Sequence, residues 1–582
     1  MASLHISKQP TLATDRGRAD KLGAWKWKMI CGVLLLCAAT TIAAQAQTFT
    51  TLVEFNNTNG SNPVGALAQG TDGNLYGTTF GGGTYGGGTV FRLTPAGTLT
   101  TLYNFCAQTG CADGSNPSAG MVLATDGNLY GTTSGGGANG SGTVFSITEQ
   151  GTLTTLYSLQ QNPDGASPAA ALIQGADGNL YGTANNGGLQ AYVWNRPCWN
   201  DWPPGCGTVF QITPAGNLTL VHSFRDNGTD GKYPADGMWP LGLVQFGDLF
   251  VGITSQGGTT NVGTIFEVAA MGNFKTLHDF DGYDGAYPVG ALALAPGGFY
   301  GTTLGLWNWY WNGTVFKFGL DGTLTTLYDF CCAAYEGANP KAGLVLATDN
   351  NLYGTTSGGG TGNNGTVFQI TLQGTLTYLH NFAGGDGSSP AAELFQATDG
   401  NLYGTTSGGG TSNNGTVFSL SVGLLPFVKT SPTSGGVGMA VTILGNNLTG
   451  STGVKFNGTP ATFTVVSSTE IQATVPSGAT SGKVKVLTPG GILTSNTKFL
   501  VTPEILSFSP PSGPVGTSVV ITGESFTGAD DVRLGFGEQM SFTVDSDTQI
   551  TAIVPAAATS GRIIVHTPGG QAKSASAFDV TP

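Results

Sequence analysis

One segment recurs seven times in this chain, and its recurrence constrains the fold more than any other feature. Residues 71–91 read TDGNLYGTTFGGGTYGGGTVF: two short apolar runs, NLYGTT and GTVF, around a loop that is almost all glycine. Close copies lie at 125–145, 348–368 and 398–418, with degenerate ones between. The aromatic of NLYG marks the register at Tyr76, Tyr130, Tyr181, Phe250, Tyr300, Tyr353 and Tyr403, in steps of 54, 51, 69, 50, 53 and 50 residues. A period near 50 with several short strands per unit predicts an array of small sheets, each burying its faces against its neighbours.

Each unit holds four strand candidates, in the first GALAQ, NLYGTT, GTVFRLT and GTLTTLYNF. Asp72-Gly73 supplies a tight hairpin turn between the first two, and Pro95-Ala96-Gly97 turns the third into the fourth. Phe91 and Leu93 share a face with Val90 opposite, the alternation of a sheet buried on both sides. GTVF or GTIF begins seven times, at Gly88, Gly142, Gly207, Gly263, Gly313, Gly365 and Gly415, but the fourth strand appears only six times in step. The missing copy, TFTTLVEF, stands at 48–55, ahead of the first unit. A lone strand displaced in this way is what ring closure needs, because it leaves no open sheet edge. The expected fold is therefore all-β: a seven-bladed β-propeller over residues 47–421, closed by an N-terminal strand. The small residues of the first strands (VGALA, AAALI) suit positions near a crowded central axis.

These copies resemble the GloVer tandem repeat, a family of bacterial exported repeats built on DGNLYGTT…GGG…GTVF. The resemblance spans roughly residues 48–420 and implies a secreted or surface protein, with no established activity. Beyond residue 425 the composition changes. SPTSGGVGMAVTILGNNL from Ser431 matches SPPSGPVGTSVVITGESF from Ser509, an offset of 78 residues. Segments 425–503 and 504–582 look like tandem IPT/TIG domains, which implies two immunoglobulin-like β-sandwiches in interaction or spacer roles.

Residues 1–46 read as a signal peptide with a long n-region. Lys21, Lys26 and Lys28 precede the apolar run MICGVLLLCAATTIAA, and Ala44-Gln45-Ala46 fits a cleavage site. The run is too short for a membrane span, so export without an integral membrane anchor is expected, to the medium or the cell surface. Losing these residues removes six Lys/Arg and two Asp/Glu, taking the formal charge from −13 to −17. So acidic a surface excludes nucleic acid as a partner. The monomer is the expected state, with no cofactor and no metal. Six cysteines remain, and Cys106–Cys111 and Cys198–Cys206 are the expected disulfides of an exported chain; Cys331 and Cys332 are left as adjacent thiols or a vicinal bridge.

Candidate chemistry is sparse. His222, His278 and His380 fill the slot that Tyr103, Tyr157 and Tyr328 hold in sister strands, which reads as packing. His566 precedes TPGG in the second sandwich. The DG-x-x-P crossovers carry Asp113, Asp164, Asp236, Asp284, Glu336 and Asp386, with Asn59 in the first copy; they read as turns, an Asp bonding its own backbone. DFDGYDG from Asp279 is oxygen-rich but lacks the full calcium loop. The sharper signal is tryptophan. All seven Trp beyond the leader avoid the repeat consensus: Trp194, Trp199 and Trp202 in a swollen third-unit loop, Trp307, Trp309 and Trp311 (with Tyr310) in the fifth, and Trp239 in the fourth crossover. The closure order puts them on one face. Exposed aromatics among Asn, Asp and Gly are how sugar rings are stacked. The leading reading is a non-enzymatic binding or adhesion protein for an extracellular glycan or protein. The rivals are a propeller polysaccharide lyase or glycosidase, and a structural surface-layer protein.

Overall fold

The computed structural model describes residues 47–189, 205–225, 234–305, 312–330, 336–535 and 538–582. Among them the protein is all-β, apart from a 3-10 turn at Thr109–Cys111. Seven antiparallel sheets of four strands precede the C-terminal region. The first contains Ala68–Gln69, Leu75–Thr79, Thr89–Leu93 and Leu99–Asn104, in that order. The next five repeat the plan. The seventh takes three strands from its own unit, Phe395–Gln396, Leu402–Thr406 and Thr416–Ser421, and its fourth from the N-terminus. Thr48–Glu54 pairs antiparallel with Thr416–Ser421, from Thr48 opposite Ser421 to Glu54 opposite Thr416.

The sheets pack in a closed cycle. Phe91 and Leu93 join Val53, Phe55 and Val417 in a core shared with the seventh sheet. Val90 faces the other way, with Phe105 and Phe145 of the junction with the second sheet. One aromatic contact is reused at these junctions. The Phe that ends an outer strand meets the Phe of the next GTVF at 5.3–5.4 Å in Phe105–Phe145, Phe224–Phe266, Phe280–Phe316, Phe330–Phe368 and Phe382–Phe418, and the closing pair Phe55–Phe91 does the same at 5.4 Å. Such tilted or edge-on pairs are the favoured geometry for aromatic rings.

The repeat signature has a physical explanation in each sheet. Asp72 accepts hydrogen bonds from the Asn74 backbone N–H (2.9 Å), the Asn74 amide (2.6 Å) and the Tyr76 hydroxyl (2.9 Å). The DGNLY turn thus ties its own register residue down, and burial and then the Asp72 charge push the Tyr76 phenol up. A Cβ on Gly77 would lie 2.4 Å from the Phe91 ring and 2.7 Å from Leu67. The glycine of NLYG is therefore the seat of the phenylalanine of GTVF. Thr79 and Thr89 clasp each other through their hydroxyls at 2.9 Å, as do their sisters except in the third sheet, where Ala184 stands in the clasp.

In five of the seven sheets the innermost strand is only two residues long, shorter than the sequence predicts; in the fourth and fifth it runs over Met238–Phe246 and Pro288–Ala295. Only Ala68–Gln69 of GALAQ joins the ladder. The residues before it pack against the neighbouring inner segments instead. A Cβ on Gly120 would sit 2.7 Å from the Ala66 carbonyl oxygen, and one on Gly343 2.4 Å from that of Ala291.

Residues 428–501 fold as a four-stranded and a five-stranded sheet around Val441, Ile443, Ile471, Val484, Val486 and Phe499. Residues 505–580 repeat the arrangement around Val519, Ile521, Ile550, Ile563, Val565 and Phe578.

Candidate binding face

In a closed ring with this strand order, the sheet-to-sheet crossovers and the loops between second and third strands leave from one face. The short hairpins leave from the other. The first C-terminal unit docks on the hairpin face. Its Thr469 hydroxyl donates to the Thr71 carbonyl (2.8 Å), its Asn446 amide to the Thr398 hydroxyl (2.8 Å), and its Phe427 N–H to the Thr398 carbonyl (3.0 Å). Lys429 donates to the Gln396 carbonyl (3.0 Å), with its ammonium 3.9 Å from the centre of the Phe395 ring. Burial pushes that ammonium down to about 7.

On the crossover face the DG acids do more than turn the chain. Asp113 accepts from the Tyr103 hydroxyl (2.9 Å) and from the backbone N–H groups of Ala107 (3.0 Å) and Gln108 (3.2 Å). Asp164 holds Tyr157 at 2.8 Å, Asp284 holds His278 at 2.7 Å, and Asp386 holds His380 at 2.8 Å. Each acid fastens the crossover to the outer strand it has just left. This explains why Tyr and His share the slot: both carry a polar tip that reaches the carboxylate. At Asp284 burial pushes the carboxyl up, but the His278 bond and the Asp281 N–H outweigh it and hold it below the usual range. In DFDGYDG, Asp281 accepts from the N–H groups of Tyr283 (2.8 Å) and Asp284 (3.1 Å), so its oxygen serves a turn. Asp113 is wholly buried, so Asp113→Ala strands three donors. It should cost about 2 kcal/mol, read as a lower urea midpoint at unchanged slope.

Of the tryptophans, Trp194, Trp199, Trp202, Trp307, Trp309 and Trp311 lie outside the described residues, as do Tyr310, Cys198, Cys331 and Cys332. The ends of their loops are described. The Leu189 N–H donates to the Ser223 hydroxyl (2.9 Å), and the Asn312 N–H to the Phe330 carbonyl (3.1 Å), both at crossover ends of outer strands. Trp239 is half-buried at φ 59°, its backbone N–H on the Cys206 carbonyl (2.9 Å) and its indole N–H buried without a partner among the described residues. Cys206 is in a disulfide, and Cys106 is bridged to Cys111.

Two kinds of residue escaped the sequence reading. Tyr283 (82% exposed) and Tyr85 (57%) present rings on crossover-face loops. They were legible as departures from consensus, as the tryptophans were. Glu393 is the other. The residue before the buried Leu or Met of each inner segment is Ala66, Gly120, Ala171, Gly242, Ala291, Gly343 and then Glu393. Six have almost no side chain and the seventh is a carboxylic acid. Among the described residues it has no hydrogen-bond or ion-pair partner, and burial pushes its pKa up to about 8.

The family model described as the Gloeobacter/Verrucomicrobia repeat matches residues 38–240, 199–333 and 309–459, more than half of the chain. The chain belongs to the Gloeobacter/Verrucomicrobia repeat family. Two IPT/TIG domains follow the repeat, at 426–501 and 503–581. No curated protein matches this family member. Among solved structures it is similar to a surface glycan-binding protein from Prevotella bryantii (20% identity, 26% of this chain and 41% of that one, TM-score 0.20). It is also similar to a fungal alcohol oxidase in complex with copper (12%, 92% and 99%, TM-score 0.41), and to the extracellular domain of a hybrid two-component system from B. thetaiotaomicron (12%, 90% and 66%, TM-score 0.40). The repeat protein spans under half the length of the Prevotella protein. Likenesses of this size assign nothing to it. Among the described residues, no helix is long and apolar enough to cross a membrane.

Proposed function

We propose that this protein is a non-enzymatic carbohydrate-binding or adhesion protein of the cell surface or medium. In this reading the seven sheets are the blades of a propeller, two immunoglobulin-like sandwiches carry it, and Trp194, Trp199, Trp202, Trp239, Trp307, Trp309, Tyr310 and Trp311 form the binding face. The observation that carries the reading is the docking of the first IPT/TIG domain on the hairpin face. That leaves the crossover face, with its aromatic departures from the repeat, for a ligand. The exposed rings of Tyr283 and Tyr85 on the same face support it, since aromatic faces stack on the C–H faces of sugars. Asp113, Asp164, Asp284 and Asp386 are each bonded to a Tyr or His. A hydrolase would instead need a carboxylate pair facing substrate.

A glycan array probed with the exported chain tests the reading. Against a glycan found there, Trp309→Ala or Trp199→Ala should weaken binding about tenfold or more with the melting temperature unchanged. Equal affinity in both variants places the site elsewhere, and cleavage of the bound glycan overturns the non-enzymatic reading.

A further inference from the structure

The outer strands set a Tyr or His against the acid of the next crossover, and at the third sheet that pair stands open. His222 Nε2 lies 3.4 Å from Asp236 Oδ2, against 2.7 Å for His278–Asp284 and 2.8 Å for His380–Asp386. His222 Nε2 and Asp236 Oδ1 are both buried with no hydrogen-bond partner among the described residues. Orphaned groups of this kind are costly and call for an explanation, such as a bound water, ion or ligand. The histidine is not loose: its ring stacks on Phe274 at 3.9 Å and meets Phe224 edge-on at 4.8 Å. The threonine clasp is missing from the same sheet, at Ala184.

A cavity of about 450 Å³ opens beside the pair, lined among others by Leu189, Val221, His222, Arg225 and Asp236. Its size falls within the range of small-molecule sites, and an apolar wall with a few convergent polar groups is their usual make-up. Two protein ligands are too few for a zinc-type ion, which takes three or four. They suit a pair of adjacent hydroxyls.

We infer that this cavity is a subsite for one pyranose ring of the glycan, with one hydroxyl accepting from His222 Nε2–H, its neighbour donating to Asp236 Oδ1, and the apolar face of the ring against Leu189 and Val221. The subsite rests on the carbohydrate reading of the crossover face and adds to it the polar contacts that tryptophans do not supply.

The test uses the full exported chain with 13C,15N-labelled histidine, titrated with the methyl pyranosides of glucose, galactose, mannose and xylose. One of the four should shift the His222 ring resonances while those of His278 and His380 stay put. His222→Tyr, the residue type found at Tyr103 and Tyr157, should close the pair, reduce affinity for that glycoside at least tenfold, and leave the melting temperature unchanged or higher. If His222→Tyr fails to fold, Asp236→Asn gives the same readout. Unchanged affinity in the folded variant overturns the subsite, as does a His222 signal unmoved by all four glycosides. A positive glycan array alongside either result removes the subsite and keeps the binding face. An array with no glycan bound removes both.

Discussion

Removal of residues 48–55 should unfold the ring or lower its melting temperature by about 10 °C or more. The deleted segment is the outer strand of the seventh sheet. It contributes Val53 (9% exposed) and Phe55 (1%) to the core between the last sheet and the first. Phe49 stacks on His380 at 3.6 Å and on Phe418 at 5.2 Å. Burial of Val53 and Phe55 is worth about 2–3 kcal/mol each. The lost ladder bonds add about 1 kcal/mol apiece, and Phe49 contributes further. The sum is on the order of 10 kcal/mol, comparable to the whole stability of a typical domain. The truncation also exposes the edge Thr416–Ser421, a template for pairing with other chains. Differential scanning calorimetry and size-exclusion chromatography read both effects. A truncated chain that melts with the full-length protein would refute closure by this strand.

Glu393→Gln should stabilise the protein above pH 8 and leave it unchanged near pH 4. Burial raises the folded-state pKa of Glu393 from 4.5 to about 8. The folded protein thus favours the protonated acid. No penalty exists below the unfolded value; it grows as pH rises from there to the folded one and is complete above it. The full shift corresponds to about 5 kcal/mol, and the partial solvation of the side chain brings the expected gain to about 3 kcal/mol at pH 9. Lys429, pushed down to about 7, titrates in an overlapping window, but both proteins carry it and it cancels in the difference. Denaturant midpoints at pH 4, 7 and 9 measure the gain, and equal midpoints at pH 9 would sink the assignment.

Much of this fold was legible because a repeat states its own rules seven times. The count of GTVF segments, the displaced copy at 48–55 and the Phe91/Leu93 against Val90 alternation led from sequence to a closed all-β ring. The hairpin chemistry of DGNLY is local, spanning Asp72 to Tyr76, and local chemistry can be read from spacing. The candidate site was legible only as an excess of aromatics in off-consensus loops. Trp239 could be placed on the crossover face in advance. Its unpartnered indole N–H could not, because that depends on what surrounds the ring.

By itself the sequence determined the strand pattern, the turns and the need for a borrowed outer strand, since these follow from residue types repeated at a constant period. Tertiary structure alone decided which side chains meet between sheets. Gly77 seats Phe91 because two strands converge there. The DG acids hold Tyr and His across a crossover, a contact that a turn motif does not announce. Glu393 is a solitary acid because seven inner segments crowd one axis and six of them offer only Ala or Gly. His222 and Asp236 carry residue types that pair closely at His278–Asp284 and His380–Asp386. The 3.4 Å that separates them is only 0.6–0.7 Å more than in those two pairs, a difference of packing, and it leaves two buried polar atoms without a partner among the described residues.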